Sequence, residues 1–275
     1  MFTLNCKGHL LTITEPIVMG ILNVTPDSFY ENSRLNNADA LLGKADQMIT
    51  DGATILDIGG QSTRPNSQRV LEEEELKRAI PAIEMIHKNY PGQIISIDTF
   101  YSRVAKEAVA AGASIVNDVS AGTIDNDLLF TVSQLNVPYV LMHMLGNPQT
   151  MQQAPEYKNV TLEVFDFLSF KIKELHQLGI HDLIVDPGFG FGKTIEHNFQ
   201  LLKELSFFNQ LEKPLLVGLS RKATVYKTLQ TTADKALNGT TVLHTIALMH
   251  GATILRVHDV KEAKEAIQLF VACTK

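Results

Sequence analysis

An α/β fold is predicted for this chain: a single (β/α)8 barrel of the TIM type, with a short N-terminal β-hairpin closing its bottom. Three observations predict it. Eight short apolar runs recur along the chain, each with a polar or charged residue at or near its end. Stretches with helical apolar spacing separate them, a rhythm that gives parallel strands joined by right-handed crossovers. The chain has 275 residues, close to the roughly 250 that one such barrel uses.

The elements follow in order. Residues 1–14 alternate around Lys7-Gly8 and read as a separate hairpin, placed as a plug under the closed end of the barrel. The eight strands are expected at 17–23, 54–60, 94–99, 114–119, 139–143, 183–188, 215–220 and 253–258. Continuous β-branched and aliphatic runs of this length read as strands buried on both faces. The helices are expected at 38–50, 72–89, 102–111, 126–135, 160–178, 196–207, 234–250 and 260–271. In the second of these, Leu76, Ile80, Ile83 and Ile86 form one apolar stripe. A Gly-Ala-Thr/Ser-Ile echo at 52–55, 112–115 and 251–254 precedes three strands; glycine there is a helix terminator, so these stretches are scaffold. No Gly/Ser/Pro-rich or charged linker divides the chain, and residues 1–275 are expected to form one domain.

A strand buried on both faces offers no cheap place for Asp or Asn except at its end. In a closed ring of parallel strands those ends converge on one mouth, where such barrels keep their chemistry. Asn23, Asp57, Asp98, Asn117, His143, Asp186, Ser220 and His258 are therefore expected to face a common pocket.

Composition narrows the class of function. The net charge of −6 argues against wrapping nucleic acid or docking on an anionic bilayer. No apolar run approaches the ~20 residues of a membrane helix. No basic-then-apolar leader opens the chain, so a cytoplasmic location is expected. Cys6 and Cys273, at opposite ends, read as two inert reduced thiols.

The acids suit recognition of a planar heterocycle, because a carboxylate accepts two parallel N–H bonds from an amidine-like edge. Capping of the next helix, or the tight turn that Pro187-Gly188 suggests after Asp186, is the competing reading for each acid alone. Asn117 both donates and accepts, which suits a mixed ring edge. Among the cations, Ser220-Arg221-Lys222 follows one strand and Arg256-Val257-His258 ends the last, with Thr63-Arg64-Pro65 after the second. Arg256 and His258, two apart on a strand, share a face. Loops after the seventh and eighth strands are the usual phosphate station of this fold. A pyrophosphate accompanied by Mg²⁺ fits such a site. Gly188 to Thr194 looks like a nucleotide-binding Gly-x-x-x-x-Gly-Lys-Thr loop, but the first glycine would fall on Pro187, so the spacing fails. A glycine-rich lip with Phe189 and Phe191 available for stacking is the better reading. His143 is expected as a satisfied barrel-top histidine.

Taken together, Ile21-Leu-Asn-Val-Thr-Pro-Asp-Ser-Phe29, Asp57-Ile-Gly-Gly-Gln-Ser-Thr-Arg-Pro65, Ser96-Ile-Asp-Thr99, Val116-Asn-Asp-Val119, Leu141-Met-His-Met144, Asp186-Pro-Gly-Phe-Gly-Phe-Gly-Lys193, Ser220-Arg-Lys222 and Arg256-Val-His-Asp259 resemble the dihydropteroate synthase family over essentially the whole chain. The resemblance implies a folate-pathway transferase that condenses 6-hydroxymethyl-7,8-dihydropterin pyrophosphate with para-aminobenzoate. It implies that Asp98, Asn117, Asp186, Lys222, Met142 and Phe191 hold the pterin. Asn23, Thr63, Arg64, Arg256 and His258 would handle pyrophosphate, with Asn23 also touching Mg²⁺. Phe29, Thr63, Arg64, Pro65, Phe191, Ser220 and Lys222 would form the aminobenzoate pocket. Asp98, Lys222, Arg256 and His258 would carry catalysis by electrostatics and positioning, without a protein nucleophile. A methyltetrahydrofolate–corrinoid methyltransferase shares the acids but handles no pyrophosphate, and Lys222, Arg256 and His258 together favour the synthase. The likeness and the apolar helix at 241–249 imply a homodimer. Three positions depart from the family pattern: Gln61 replaces an acid, Asn66 a glycine, and Ala223 a serine expected to help hold the aminobenzoate carboxylate.

Overall fold

In the computed structural model, which describes residues 1–24, 34–61, 70–146 and 155–274, the alternating opening residues pair antiparallel as β1 (Phe2–Cys6) and β2 (His9–Ile13). The eight apolar runs become β3 (Ile17–Asn23), β4 (Ile55–Gly59), β5 (Ile94–Asp98), β6 (Ile115–Asp118), β7 (Tyr139–Met142), β8 (Leu183–Asp186), β9 (Leu216–Val217) and β10 (Ile254–Val257). They form one parallel sheet in the order β8-β7-β6-β5-β4-β3-β10-β9. A parallel bridge between Val185 and Leu215, with the Val185 N–H donating to the Pro214 carbonyl at 2.9 Å, joins the outer strands and closes the ring.

The helices are α1 (Arg34–Thr50), α2 (Glu72–Asn89), α3 (Ser102–Ala111), α4 (Leu128–Leu135), α5 (Val160–Gln177), α6 (Ile195–Lys203), α7 (Ala223–Thr228), α8 (Leu237–Met249) and α9 (Val260–Thr274). Gly52, Gly112 and Gly251 end three of them at φ of 101°, 128° and 98°, the turn that the Gly-Ala echo predicts. Three segments differ from expectation: the strand expected at 215–220 shortens to Leu216–Val217, and two helical regions change. The helix expected at 196–207 stops at Lys203 and continues as a 3₁₀ turn, Leu205–Leu211. Residues three apart eclipse in that winding, which drops both Leu205 and Phe208 into the core. The helix expected at 234–250 forms as α8, and the short α7 before it is an element the sequence did not predict. No helix among the described residues is long and apolar enough to cross a membrane.

Side chains alternate across each barrel strand. Leu22, Leu56, Ile58, Ile95, Ile97, Val116, Leu141, Val185, Leu255 and Val257 point outward into the main core beneath the helices. Met19, Ile55, Ile115, Val140, Ile184, Leu216 and Ile254 point inward near the strand starts. The hairpin's buried face, Leu4, Cys6, Leu11 and Ile13, packs on this inner layer and closes that end. Burial pushes the Cys6 thiol up to about 12, so it stays an inert thiol. At the opposite end the inward positions turn polar.

Candidate active site

The same alternation that puts Ile55, Ile115, Ile184 and Ile254 inside places Asp57, Asn117, Asp186 and Arg256, two residues further on, inside as well. Arg256 of β10 reaches across the mouth to two acids. Its Nε donates to Asp57 Oδ2 at 2.6 Å and its Nη2 to Asp98 Oδ2 at 2.5 Å. Asn117 Nδ2 donates to the same Asp57 oxygen at 3.0 Å. Asp57 is fully buried and Asp98 nearly so; carboxylates so placed persist only when paired. Burial drives the Asp98 pKa up to about 7, Arg256 pulling it down and Asp57 and Asp118 adding to the rise. For Arg256, burial works against the charge, but Asp57 and Asp98 outweigh it and its pKa is raised.

Lys222 and Asp186 form the second half. Asp186 Oδ1 accepts the Gly188 N–H at 2.7 Å. Burial raises its pKa against the pull of Lys222, Arg256 and Lys193. Lys222 is lowered to about 8, by burial first, with Asp186 opposing and Arg256 adding. Its Nζ donates to the Phe189 carbonyl at 2.5 Å and stands 4.7 Å from the centre of the Phe191 ring. Phe191 packs with Met142, Phe100 and Val119 in a small apolar cluster apart from the main core, which gives the pocket a flat apolar wall. Phe189 does not join it: the ring is wholly buried in the main core, so the expected pair of stacking aromatics is a single one. Positive φ at Gly188 and Gly190 breaks the alternation that would have placed the two rings alike.

The remaining expected residues lie around this centre. Ser220 Oγ accepts the His258 N–H at 3.2 Å and sits 3.2 Å from His258 Nδ1. Asn23 ends β3 at an exposed position, its Oδ1 3.4 Å from where a Cβ on Gly59 would stand. Arg221 leaves the expected cation group: it donates from Nε and Nη2 to Asp259, each at 2.8 Å, and from Nη1 to the Ala233 and Asp234 carbonyls. That clamp fixes the chain between β9 and α9 and points the guanidinium away from Lys222. Phe29, Thr63, Arg64, Pro65 and Asn66 lie outside the described residues.

His143 is the satisfied histidine expected. Its Nδ1 lies 2.9 Å from Lys193 Nζ and its ring meets Phe167 edge-on at 4.9 Å. Burial, then Lys193, lowers its pKa to about 2, so the ring is neutral. Lys193, also buried, is lowered to about 7, and its donors to His143 and the Phe191 carbonyl brace the glycine-rich lip. Thr194 caps α6 by accepting the His197 N–H at 3.1 Å. Neither residue is arranged as in a nucleotide cradle, in keeping with the failed spacing. Lys193 had no expected role, and Asp57 none beyond facing the pocket. For Asp57 the signal was present, since it stands two residues after Ile55 on an inward face.

Gly188 shows how tightly the lip is drawn. At φ +74°, a Cβ here would stand 1.8 Å from the His143 carbonyl oxygen. Gly188→Ala is expected to cost at least about 2 kcal/mol of stability through strain and displacement, read as a lower urea midpoint. An unchanged midpoint would show that the lip has room the geometry denies it.

Among the described residues, no group of three or more His, Cys, Asp or Glu is placed to hold a metal. The arrangement offers paired carboxylates and an amide for a polar ring edge, an apolar wall for its face, and cations for an anion at the rim.

Comparison with known proteins agrees with this chemistry. Residues 19–258 match the model of the pterin binding enzyme family. The dihydropteroate synthase of Escherichia coli K12 is 43% identical over 268 residues, covering 97% of this chain and 94% of that protein. The crystal structure of Yersinia pestis dihydropteroate synthase with a sulfonamide drug complex superposes with a TM-score of 0.93 at 40% identity, over 99% of both chains. The solved structure of dihydropteroate synthase from Xanthomonas albilineans in complex with 7,8-dihydropteroate gives 0.88 at 39% identity, again over 99% of both chains.

Proposed function

Because the chain belongs to the pterin-binding enzymes, and within them to the dihydropteroate synthase family, we propose that its barrel mouth joins para-aminobenzoate to 6-hydroxymethyl-7,8-dihydropterin pyrophosphate, giving 7,8-dihydropteroate and pyrophosphate. The observation that carries the reading is the network in which Arg256 binds Asp57 and Asp98 while Lys222 stands beside Asp186. Asp98, Asn117 and Asp186 accept from and donate to the pterin edge, with Met142 and Phe191 against its face. Arg256 uses Nε and Nη2 on the acids, which leaves Nη1 for the pyrophosphate, with His258 just past the end of the same strand.

In the reaction the bond between the pterin methylene carbon and the pyrophosphate oxygen breaks, its electron pair leaving with the oxygen. The aminobenzoate nitrogen forms the new bond and then sheds a proton. Cations at the rim stabilise charge growing on the leaving group, and Asp98 stabilises the positive methylene carbon. Mg²⁺ is met by few protein ligands and mostly by substrate phosphates; a lone exposed Asn23 amide oxygen fits that pattern, and the ion would neutralise pyrophosphate charge. Thr63, Arg64, Pro65, Phe29 and Ser220 complete the proposal on the pyrophosphate and aminobenzoate side.

The test is incubation with both substrates and Mg²⁺. Dihydropteroate forming in step with pyrophosphate supports the reading, and its absence with a folded protein contradicts it. Ala223, the first residue of α7 beside Lys222, yields a finer expectation. Ala223→Ser changes the aminobenzoate KM more than the pterin KM; a shifted pterin KM with an unchanged aminobenzoate KM would refute the assignment. The homodimer and the cytoplasmic setting belong to the same proposal. Exposed Val242 and Met249 on α8 support the dimer, and light scattering of the free chain reads it.

A further inference from the structure

Glu75 of α2 is a wholly buried carboxyl with no part in the network above. It lies under the exit of β4, where a Cβ on Gly60 would stand 2.9 Å from its Cγ. Gln61 spans from this acid to the far side of the junction. Its Nε2 donates to Glu75 Oε2 at 3.5 Å, and its Oε1 accepts the Val70 N–H at 2.8 Å. Tyr101 donates to the Val70 carbonyl at 3.0 Å, and Arg78 Nη1 to the Gly60 carbonyl at 3.1 Å. Glu75 Oε1 has no hydrogen-bond partner among the described residues. The groups facing the carboxyl are Thr99 and Asp98 at the exit of β5, and Arg78 and Glu72 on its own helix.

We propose that Glu75 is a positioning residue for the synthase reaction: it seats Gln61 across to Val70 and fixes the end of β4 beside Asp98. The assignment rests on the function proposed above. Burial raises the Glu75 pKa to about 8, with Thr99 and Arg78 opposing and Asp98 and Glu72 adding. Once ionised, the group needs water, leaves the underside of Gly60 and lets the bridge go.

Two readouts test it. The first needs no substrate. Below the ordinary value of 4.5 both folded and unfolded chains hold the proton; between 4.5 and about 8 only the unfolded chain releases it. Through this group the wild type therefore loses stability as pH rises through that window, a contribution that Glu75→Gln lacks, and the Tm of Glu75→Gln relative to wild type is expected to climb across it and level off above. The second is kinetic. Glu75→Gln keeps kcat/KM at pH 7 within about threefold of wild type, and its alkaline limb loses one of two ionisations. Gln61→Glu, which gives the Glu75 proton a carboxylate to bind, moves that limb to higher pH. Parallel Tm–pH curves, or an alkaline limb unaltered by both variants, would overturn the proposal. A wild type that makes no dihydropteroate, with Tm curves that diverge as expected, would overturn the function and leave the protonated Glu75 standing.

Discussion

Replacing Arg256 with methionine lowers kcat/KM by about 10²- to 10³-fold, the cost of losing a group aimed at charge that develops in the transition state, and weakens the fold in the same stroke. The guanidinium is what makes two inward carboxylates tolerable. Asp57 has no exposed side-chain surface and Asp98 has 7%, and both accept from Arg256. Methionine fills similar volume but leaves those acids facing each other without a cation. Removing one partner of a buried pair costs about 3–5 kcal/mol, because the charge left behind stays desolvated. Asp98, already raised to about 7, then takes up a proton. The neutral acid then no longer stabilises a positive carbon, so the effect falls on kcat and on binding together. Steady-state kinetics and a urea titration on one preparation check both halves. Wild-type stability with lost activity would mean that Asp57 finds another partner; the reverse would remove Arg256 from the chemistry.

Lys222→Met is the second large effect, about 10²-fold or more in kcat/KM, and it carries a pH signature. Lys222 serves while protonated, and burial brings its pKa down to about 8, so activity falls as pH rises through that value. Asp98 serves while ionised, and its pKa is pushed up to about 7, so activity falls as pH drops through that one. The wild-type profile of kcat/KM is therefore a narrow bell between about 7 and 8. Lys222→Arg keeps the charge at higher pH and strips the lysine ionisation from the alkaline limb, leaving the shallower one assigned to Glu75. An arginine also requires different geometry, so its maximum lies below that of wild type. An alkaline limb identical in wild type and Lys222→Arg would show that Lys222 does not titrate in this range.

Much of this was legible in the residues alone, for a definite reason. The barrel runs are continuous and apolar because both their faces are covered, and the polar residue that ends such a run has only the mouth to occupy. Asp57, Asp98, Asn117, Asp186 and His258 were readable in that way, and Lys222 and Arg256 as cations of the clusters that follow or end a strand. For Asp57, expected at the mouth and found there, what the residues alone withheld was the partner: it sits within its strand, one inward position above the apolar floor, and Arg256 crosses to it. Lys193 was hidden by its glycine run, where positive φ at Gly188, Gly190 and Gly192 turns the chain in ways no period describes. The same turns separate Phe189 from Phe191. Arg221 and Lys222 are neighbours, yet φ of +54° at Arg221 sends their side chains apart. The six-residue α7 is too short to show a helical period. Glu75 lies in a run of four glutamates that reads as a solvated helix start, and only its place under Gly60 distinguishes it.

The most direct measurement of the central claim is a crystal structure of this chain with the dihydropterin pyrophosphate bound. The ring edge is expected against Asp98, Asn117 and Asp186, its face on Phe191 and Met142, and the pyrophosphate at Arg256 and His258. A ring seated away from both acids, or a pyrophosphate out of reach of Arg256, would contradict it.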